Sequence, residues 1–192
     1  MQDKWIAAEA ADSQVTFIVD GQDIKASRGP LEQHSDVLKA MFVKDYDKFG
    51  GKFNIEDANP QVLLKLILAC YCPKVQLSNC IEALDLFKLA HRFNVKHVMS
   101  YCENFIVVNK SQVTEADVIE FFRVGDLSGS LKIKSMAIEV LTSLQSSVDD
   151  ISNLEVLSSG QMREVFKVVW TKRVVYGASD ACDEELDKML GL

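Results

Sequence analysis

Three features of this 192-residue sequence predict an α+β domain followed by helices alone. Two β-rich runs in VTFIVDGQDIKA flank Asp20-Gly21, and Asp-Gly between such runs is a strong hairpin signal. Residues 60–106 then carry apolar residues at helical spacing in three consecutive segments. Beyond Asn109 the helical period continues without a return of alternating runs. The predicted organisation is an N-terminal helix over 1–12, a mixed domain over 13–109 and a helical extension over 110–192.

The short helix at 3–11 has Trp5 and Ile6 as its large apolar residues. Val15, Phe17 and Val19 alternate to one face, so the first strand packs on something beneath it. Ser27 is a candidate cap for a short helix with Pro30 in its first turn. Ser35 caps a second helix, Asp36 to Phe42, expected to bury Val37, Leu38 and Met41. Gly50-Gly51 is a turn, and Lys52 to Ile55 a short strand with Phe53 and Ile55 on one side.

The segment from Asn59 is the middle of the domain. Asn59-Pro60 places a capping residue before a proline at the first helical position. Val62, Leu63, Leu66, Ile67 and Cys70 follow at helical spacing, and Pro73 ends the helix because proline disfavours helix at the residue before it. This helix is apolar almost all round, which predicts burial. The next has Ser78 and Asn79 as candidate caps and Ile81, Leu84, Leu86, Phe87 and Ala90 inward; the third runs from Val95 to Ile106 with Val98, Cys102, Phe105 and Ile106 on one side.

In the extension, Thr114 opens a helix with Glu115 and Asp117 in its first turn, where the macrodipole favours acids. It is expected to bury Val118, Ile119, Phe122 and Val124 and to stop near Gly125. A second helix spans Leu131 to Leu144, with Ile133, Met136, Ala137, Val140 and Leu141 inward. After a polar connection at 145–153, Ser159 caps a third helix through Trp170, and 180–190 forms a last one.

Composition excludes several functions. A net charge of -7 and a pI near 5.0 argue against a nucleic-acid surface, which needs a concentrated basic face. The basic cluster at Lys167 to Arg173, interrupted by Val168, Val169 and Trp170, reads as a solvated helix face. No apolar run reaches the roughly 18 residues of a membrane span, and the N-terminus has neither the basic start nor the apolar core of a secretory signal. Five cysteines, several at apolar helical positions, look like reduced core residues of a cytoplasmic or nuclear protein.

Catalytic and metal-binding patterns are scarce. There is no phosphate loop, GxSxG or HExxH. Cys70, Cys72, Cys80, His91 and Cys102 lack the paired spacing of a structural zinc site, so buried thiols are the simpler reading. The acids at Asp180, Asp183, Glu184, Glu185 and Asp187 lack the alternation and central glycine of a calcium loop. Asp149-Asp150 fits a turn and helix cap, and His91 and His97 flank a loop without a nucleophile. The expectation is a protein without catalytic activity, cofactor or metal.

VTFIVDGQDIKASRGPLEQHSDVLKAMF resembles the opening of a BTB (POZ) domain: strand, DG hairpin, strand, then a helical hairpin ending in Ala-Met-Phe. NIEDANPQVLLKLILACYC, LFKLAHRFNV and SYCENFI match the later parts of that family in order, over about Ser13 to Asn109. The stretch SQVTEADVIEFFRVGDLSGSLKIKSMAIEVL looks like the helical pair that follows the BTB in speckle-type POZ (MATH-BTB) proteins, and the remainder resembles a shortened BACK-type extension. No MATH or Kelch module is legible.

The resemblance implies a homodimer whose interface includes Trp5, Ile6, Gln14, Arg28, Pro30 and Leu31. Gln14 stands where the family usually has an aspartate, and Ser27 where it has a histidine, while the basic residue is kept as Arg28. Losing the acid removes a charge pair at the dimer interface. Pro30 occupies an aliphatic contact position.

It also implies docking of a cullin N-terminal domain, through a hydrophobic-x-Glu motif after the helical hairpin. Here Met41-Phe42-Val43 occupies that motif, with Val43 replacing the glutamate and Lys44, Asp45 and Tyr46 in the adjoining loop. The missing charge weakens such docking without abolishing it. Met41 and Phe42 also fit as core residues, Phe42 more readily. Two readings follow: an adaptor that brings an unidentified protein substrate to a cullin-RING ubiquitin ligase, or an assembly or co-regulator module that binds no cullin.

Overall fold

The computed structural model describes residues 14–72, 75–143 and 153–175, except for the side chains of Asp47 and of 169–175. The N-terminal helix with Trp5 and Ile6, Pro73, most of the 145–153 connection and the helix at 180–190 lie outside the described residues, as do the side chains of the basic cluster beyond Val168. The chain divides into two compact units between Phe105 and Ile106.

In the first unit, β1 (Gln14–Val19) and β2 (Gln22–Ser27) pair antiparallel with Val15 opposite Ala26 and Phe17 opposite Ile24. Asp20 and Gly21 both take left-handed conformations, at φ 47° and 74°, which a two-residue hairpin turn of this twist requires. β3 (Lys52–Asn54) joins β1 in parallel, giving the order β2-β1-β3. Val15, Phe17 and Val19 are buried as their alternation predicts. The Phe17 ring centroid lies 6.1 Å from Phe42 and 6.4 Å from Phe53.

Five helices accompany the sheet: α1 (Arg28–His34), α2 (Asp36–Phe49), α3 (Pro60–Tyr71), α4 (Cys80–Arg92) and α5 (Lys96–Val108), the last crossing into the second unit. Caps form where local chemistry predicts. The Ser35 hydroxyl oxygen accepts from the Leu38 amide at 2.9 Å, Asn59 Oδ1 from Gln61 at 2.8 Å, and Asn79 Oδ1 from Glu82 at 2.8 Å. Ser27 makes no side-chain cap; its backbone N–H instead donates to the Tyr71 hydroxyl at 2.6 Å, tying β2 to the end of α3. α3 is buried through Leu63, Leu66, Ile67, Ala69 and Cys70.

Several expectations in this unit change, among them Met41, expected to be buried and in fact half-buried. α2 does not end at Phe42 but runs seven residues further, so Lys44, Asp45 and Tyr46 are helical rather than in a loop. Val37 is 41% and Ile81 42% exposed, because each sits at the margin of its helix's apolar stripe, where periodicity fits core and surface equally. Phe105 is only half-buried.

The second unit packs α6 (Val118–Ser128), α7 (Leu131–Ser143) and α8 (Ser159–Val175), with single 3-10 turns at Lys110–Gln112 and Leu154–Val156. α6 begins later than expected. Thr114 Oγ1 bonds to Asp117 Oδ2 at 2.5 Å and its carbonyl accepts from Val118, so 114–117 is a turn leading into the helix. Nor does α6 stop at Gly125: it continues to Ser128 and is capped by Gly129 at φ 70°. The cap of α8 is Ser158, not Ser159. Ser158 Oγ accepts from the Gln161 amide at 3.3 Å while Gln161 Oε1 accepts from the Ser158 amide at 3.0 Å, a reciprocal capping box. Lys134 Nζ joins the three helices, 2.8 Å from both Asp126 Oδ1 on α6 and Glu164 Oε2 on α8.

Candidate protein-interaction site

The α1–α2 hairpin gathers most of the residues singled out in the sequence. Gln14, at the start of β1 and half-buried, lies opposite Ser27, which brings Arg28 beside it. The Gln14 carbonyl accepts from the Tyr46 hydroxyl at 3.1 Å. The Arg28 guanidinium stands 4.6 Å from the Tyr46 ring centroid and 5.7 Å from that of Phe42. Its Nε and Nη2 both donate to Glu32 Oε1, at 2.9 and 2.7 Å. Arg28 thus has an acidic partner on its own helix. Glu32 escaped sequence reading, although its i+4 spacing from Arg28 was the available signal.

The other candidates divide sharply by exposure. Leu31 and Phe42 are completely buried, Phe42 with its ring 5.2 Å from Phe53. Pro30, Met41 and Asp45 are half-buried, Lys44 is exposed and Val43 is 74% exposed. Helical spacing sets Val37, Met41 and Lys44 along one outward stripe of α2, with Val43 to its side. The result is an exposed apolar edge on a regular helix, held from behind by aromatic packing. Such an edge offers surface that a partner protein can cover.

Cys70, Cys80 and Cys102 are buried as the sequence predicts, whereas Cys72, at the end of α3, is exposed. Burial pushes Cys70 up to about 11 and Cys102 up to about 12, the latter helped by the Glu103 charge, and raises Cys80 as well. Protonated thiols are poor metal ligands. Among the described residues, no group of three or more His, Cys, Asp or Glu side chains is placed to hold a metal ion. No helix among them is long and apolar enough to cross a membrane.

Two further features of the first unit lie away from this hairpin edge. A cleft of about 330 Å³ opens between α3 and α4, with Asp57, Asp85, Lys88 and Arg92 at its rim. Its ionic groups are largely answered locally: Lys88 pairs with Asp85 at 3.3 Å and Arg92 donates to the Glu56 carbonyl at 2.6 Å. His34, at the end of α1, faces His97 on α5 with ring centroids 4.5 Å apart. His97 Nε2 is 3.1 Å from the Ala69 carbonyl.

Burial first, and the His97 charge second, hold the His34 pKa below its usual 6.5. A lowered folded pKa means the unfolded chain takes up this proton first, so stability falls as pH drops through 6.5. Depressed carboxylates act in a separate range. Lys65 holds Glu82 low, and Lys134 holds Asp126 low, so their contributions are lost only below their ordinary values of 4.5 and 3.8. Wild-type protein should therefore lose melting temperature between pH 7 and 5.5, and His34→Gln should flatten that slope. Equal slopes in a pH-series of thermal melts would refute the assignment.

The order of elements is decisive when set beside known families: the BTB/POZ domain model matches residues 7–110, more than half of the chain. The chain belongs to the BTB/POZ family. It is 30% identical over 89 residues to a BTB/POZ domain-containing protein of Arabidopsis thaliana, covering 46% of this chain and 36% of that protein. It is 24% identical over 127 residues to Kelch-like protein 30 of Homo sapiens, covering 65% of this chain and 21% of that protein. The second match is longer than residues 7–110, so the likeness reaches past the BTB/POZ domain into the helices that follow. The matched stretches span well under half the length of either relative. Membership in this family points to a protein–protein interaction or adaptor role.

Proposed function

We propose that this BTB/POZ chain is a non-enzymatic substrate adaptor or scaffold of a cullin-RING ubiquitin ligase. It would act as a homodimer and dock the cullin N-terminal domain on the outer edge of α2. What supports the reading is a BTB/POZ domain over residues 7–110 followed by the further helices α6 and α7, with Val37 exposed and Met41 half-buried on the outer side of α2. The hydrophobic position of the docking motif is kept at Met41, while Val43 stands where the family resemblance places a glutamate. The helices from Val118 onward play the part of a BACK-like extension.

The alternative is an assembly or co-regulator module that binds no cullin. Val43 favours it, since the family resemblance places a glutamate there. Size-exclusion chromatography with light scattering, on the chain alone and mixed with the cullin N-terminal domain, separates the two. A two-to-two complex supports the adaptor; no complex at tens of micromolar sinks it. Val43→Glu restores the charged contact without disturbing the core, and should tighten cullin binding roughly fivefold, about 1 kcal/mol. An unchanged affinity in calorimetry would favour the module that serves another partner.

A further inference from the structure

Beyond Phe42, α2 has little to hold it. Leu38 and Phe42 anchor its first half in the core, but among residues 43–49 no described side chain is fully buried. Two helical turns are marginal by propensity alone. The second half is fixed at Tyr46. Its hydroxyl bonds to the Gln14 carbonyl on β1 at 3.1 Å, and its carbonyl accepts from the Gly51 amide at 3.0 Å. A Cβ added at Gly51 would come within 3.0 Å of Tyr46 Cε2, so the chain returning to β3 lies directly against the ring. Arg28 brings its guanidinium to this ring from α1, itself oriented by two hydrogen bonds to Glu32.

We infer that Arg28 is a positioning residue: stacked on Tyr46 and oriented by Glu32, it sets where the second half of α2 lies and so where Val43 and Lys44 are presented. Its consequence for binding rests on the adaptor reading; its consequence for α2 does not. A planar guanidinium can stack on the ring and bond to Glu32 at once, whereas a lysine ammonium is a point charge without the flat face. The acid missing at Gln14 is then not a vacancy in the fold, because Glu32 supplies the carboxylate from within α1.

Hydrogen exchange followed by mass spectrometry on the full chain tests this with Arg28→Ala, Arg28→Lys and Glu32→Gln. Exchange at residues 44–50 should rise at least tenfold in Arg28→Ala, nearly as much in Arg28→Lys and less in Glu32→Gln, with α3 and α4 unchanged. A rise spread evenly over α3 and α4, or none at 44–50 in any variant, overturns the inference. If Arg28→Ala fails to fold, the other two variants carry the same comparison. Where wild-type protein binds the cullin N-terminal domain, Arg28→Lys should weaken binding at least threefold and shrink the gain from Val43→Glu; additive effects of the two substitutions would overturn the link to presentation. A wild type that ignores the cullin removes the adaptor reading, and the exchange pattern alone then decides the role of Arg28.

Discussion

Phe42→Ala should lower the stability of the first unit by about 3–5 kcal/mol, the usual cost of removing a buried aromatic ring. Phe42 is completely buried, with Phe53 at 5.2 Å and Phe17 at 6.1 Å between ring centroids, and the Arg28 guanidinium at 5.7 Å. Truncation would leave a cavity between two rings, Phe17 and Phe53, whose backbones are fixed by β1 and β3, so little relaxation is available. Its neighbour is the control: Val43 is 74% exposed, and Val43→Ala should stay within about 0.5 kcal/mol of wild type. Urea denaturation followed by circular dichroism measures both. A loss below about 1 kcal/mol for Phe42→Ala would mean that the ring is not in the core. The contrast also guards the binding experiments, since a Phe42 variant that fails to bind a partner has lost its fold rather than a contact.

Gly125→Ala should destabilise the second unit by about 2–3 kcal/mol, although alanine in mid-helix normally gains about 0.5–1 kcal/mol over glycine. A Cβ at Gly125 would fall 2.5 Å from the Lys134 nitrogen, 2.9 Å from its Cα and 3.1 Å from the Ile133 carbonyl carbon. All three are backbone atoms of α7, so relief requires moving the helix rather than turning a side chain. Separating α6 from α7 would also stretch the Lys134 contact to Asp126. Gly129 offers the comparison: it sits at φ 70° with nothing near its Cβ position, so Gly129→Ala should cost only the conformational strain, about 1 kcal/mol. Thermal and urea unfolding of both variants distinguish them, and a neutral or stabilising Gly125→Ala would show that the helices do not approach this closely.

Several signals are legible where the residue and its partner lie close in sequence. Asp20-Gly21 specifies its own turn, Ser35 its bond to Leu38, Asn79 its bond to Glu82, and each occurs as expected. Signals that depend on a distant partner misled. Gly125 reads as a helix stop, yet it is a packing point against α7. The charged run after Phe42 buries little, with Val43 and Phe49 exposed, and its Tyr46 is tied to Gln14, 32 residues away. Thr114 and Ser159 fit a cap by residue type alone, but the helix starts lie where a second hydrogen bond three residues away can close, which residue type does not specify.

The interaction site divides the same way. Its membership in a BTB/POZ hairpin was readable from the order of strand, Asp-Gly turn, strand and capped helices, because each link in that series is a short-range preference. Which of its side chains face outward was not. Phe42 and Val43 are adjacent and similar in polarity, and only the packing of Phe42 against Phe17 and Phe53 assigns one to the core and leaves the other exposed. Arg28 likewise announces a charge without naming its partner; the turn of α1 that brings Glu32 beneath it, and the fold that sets Tyr46 against it, made that choice.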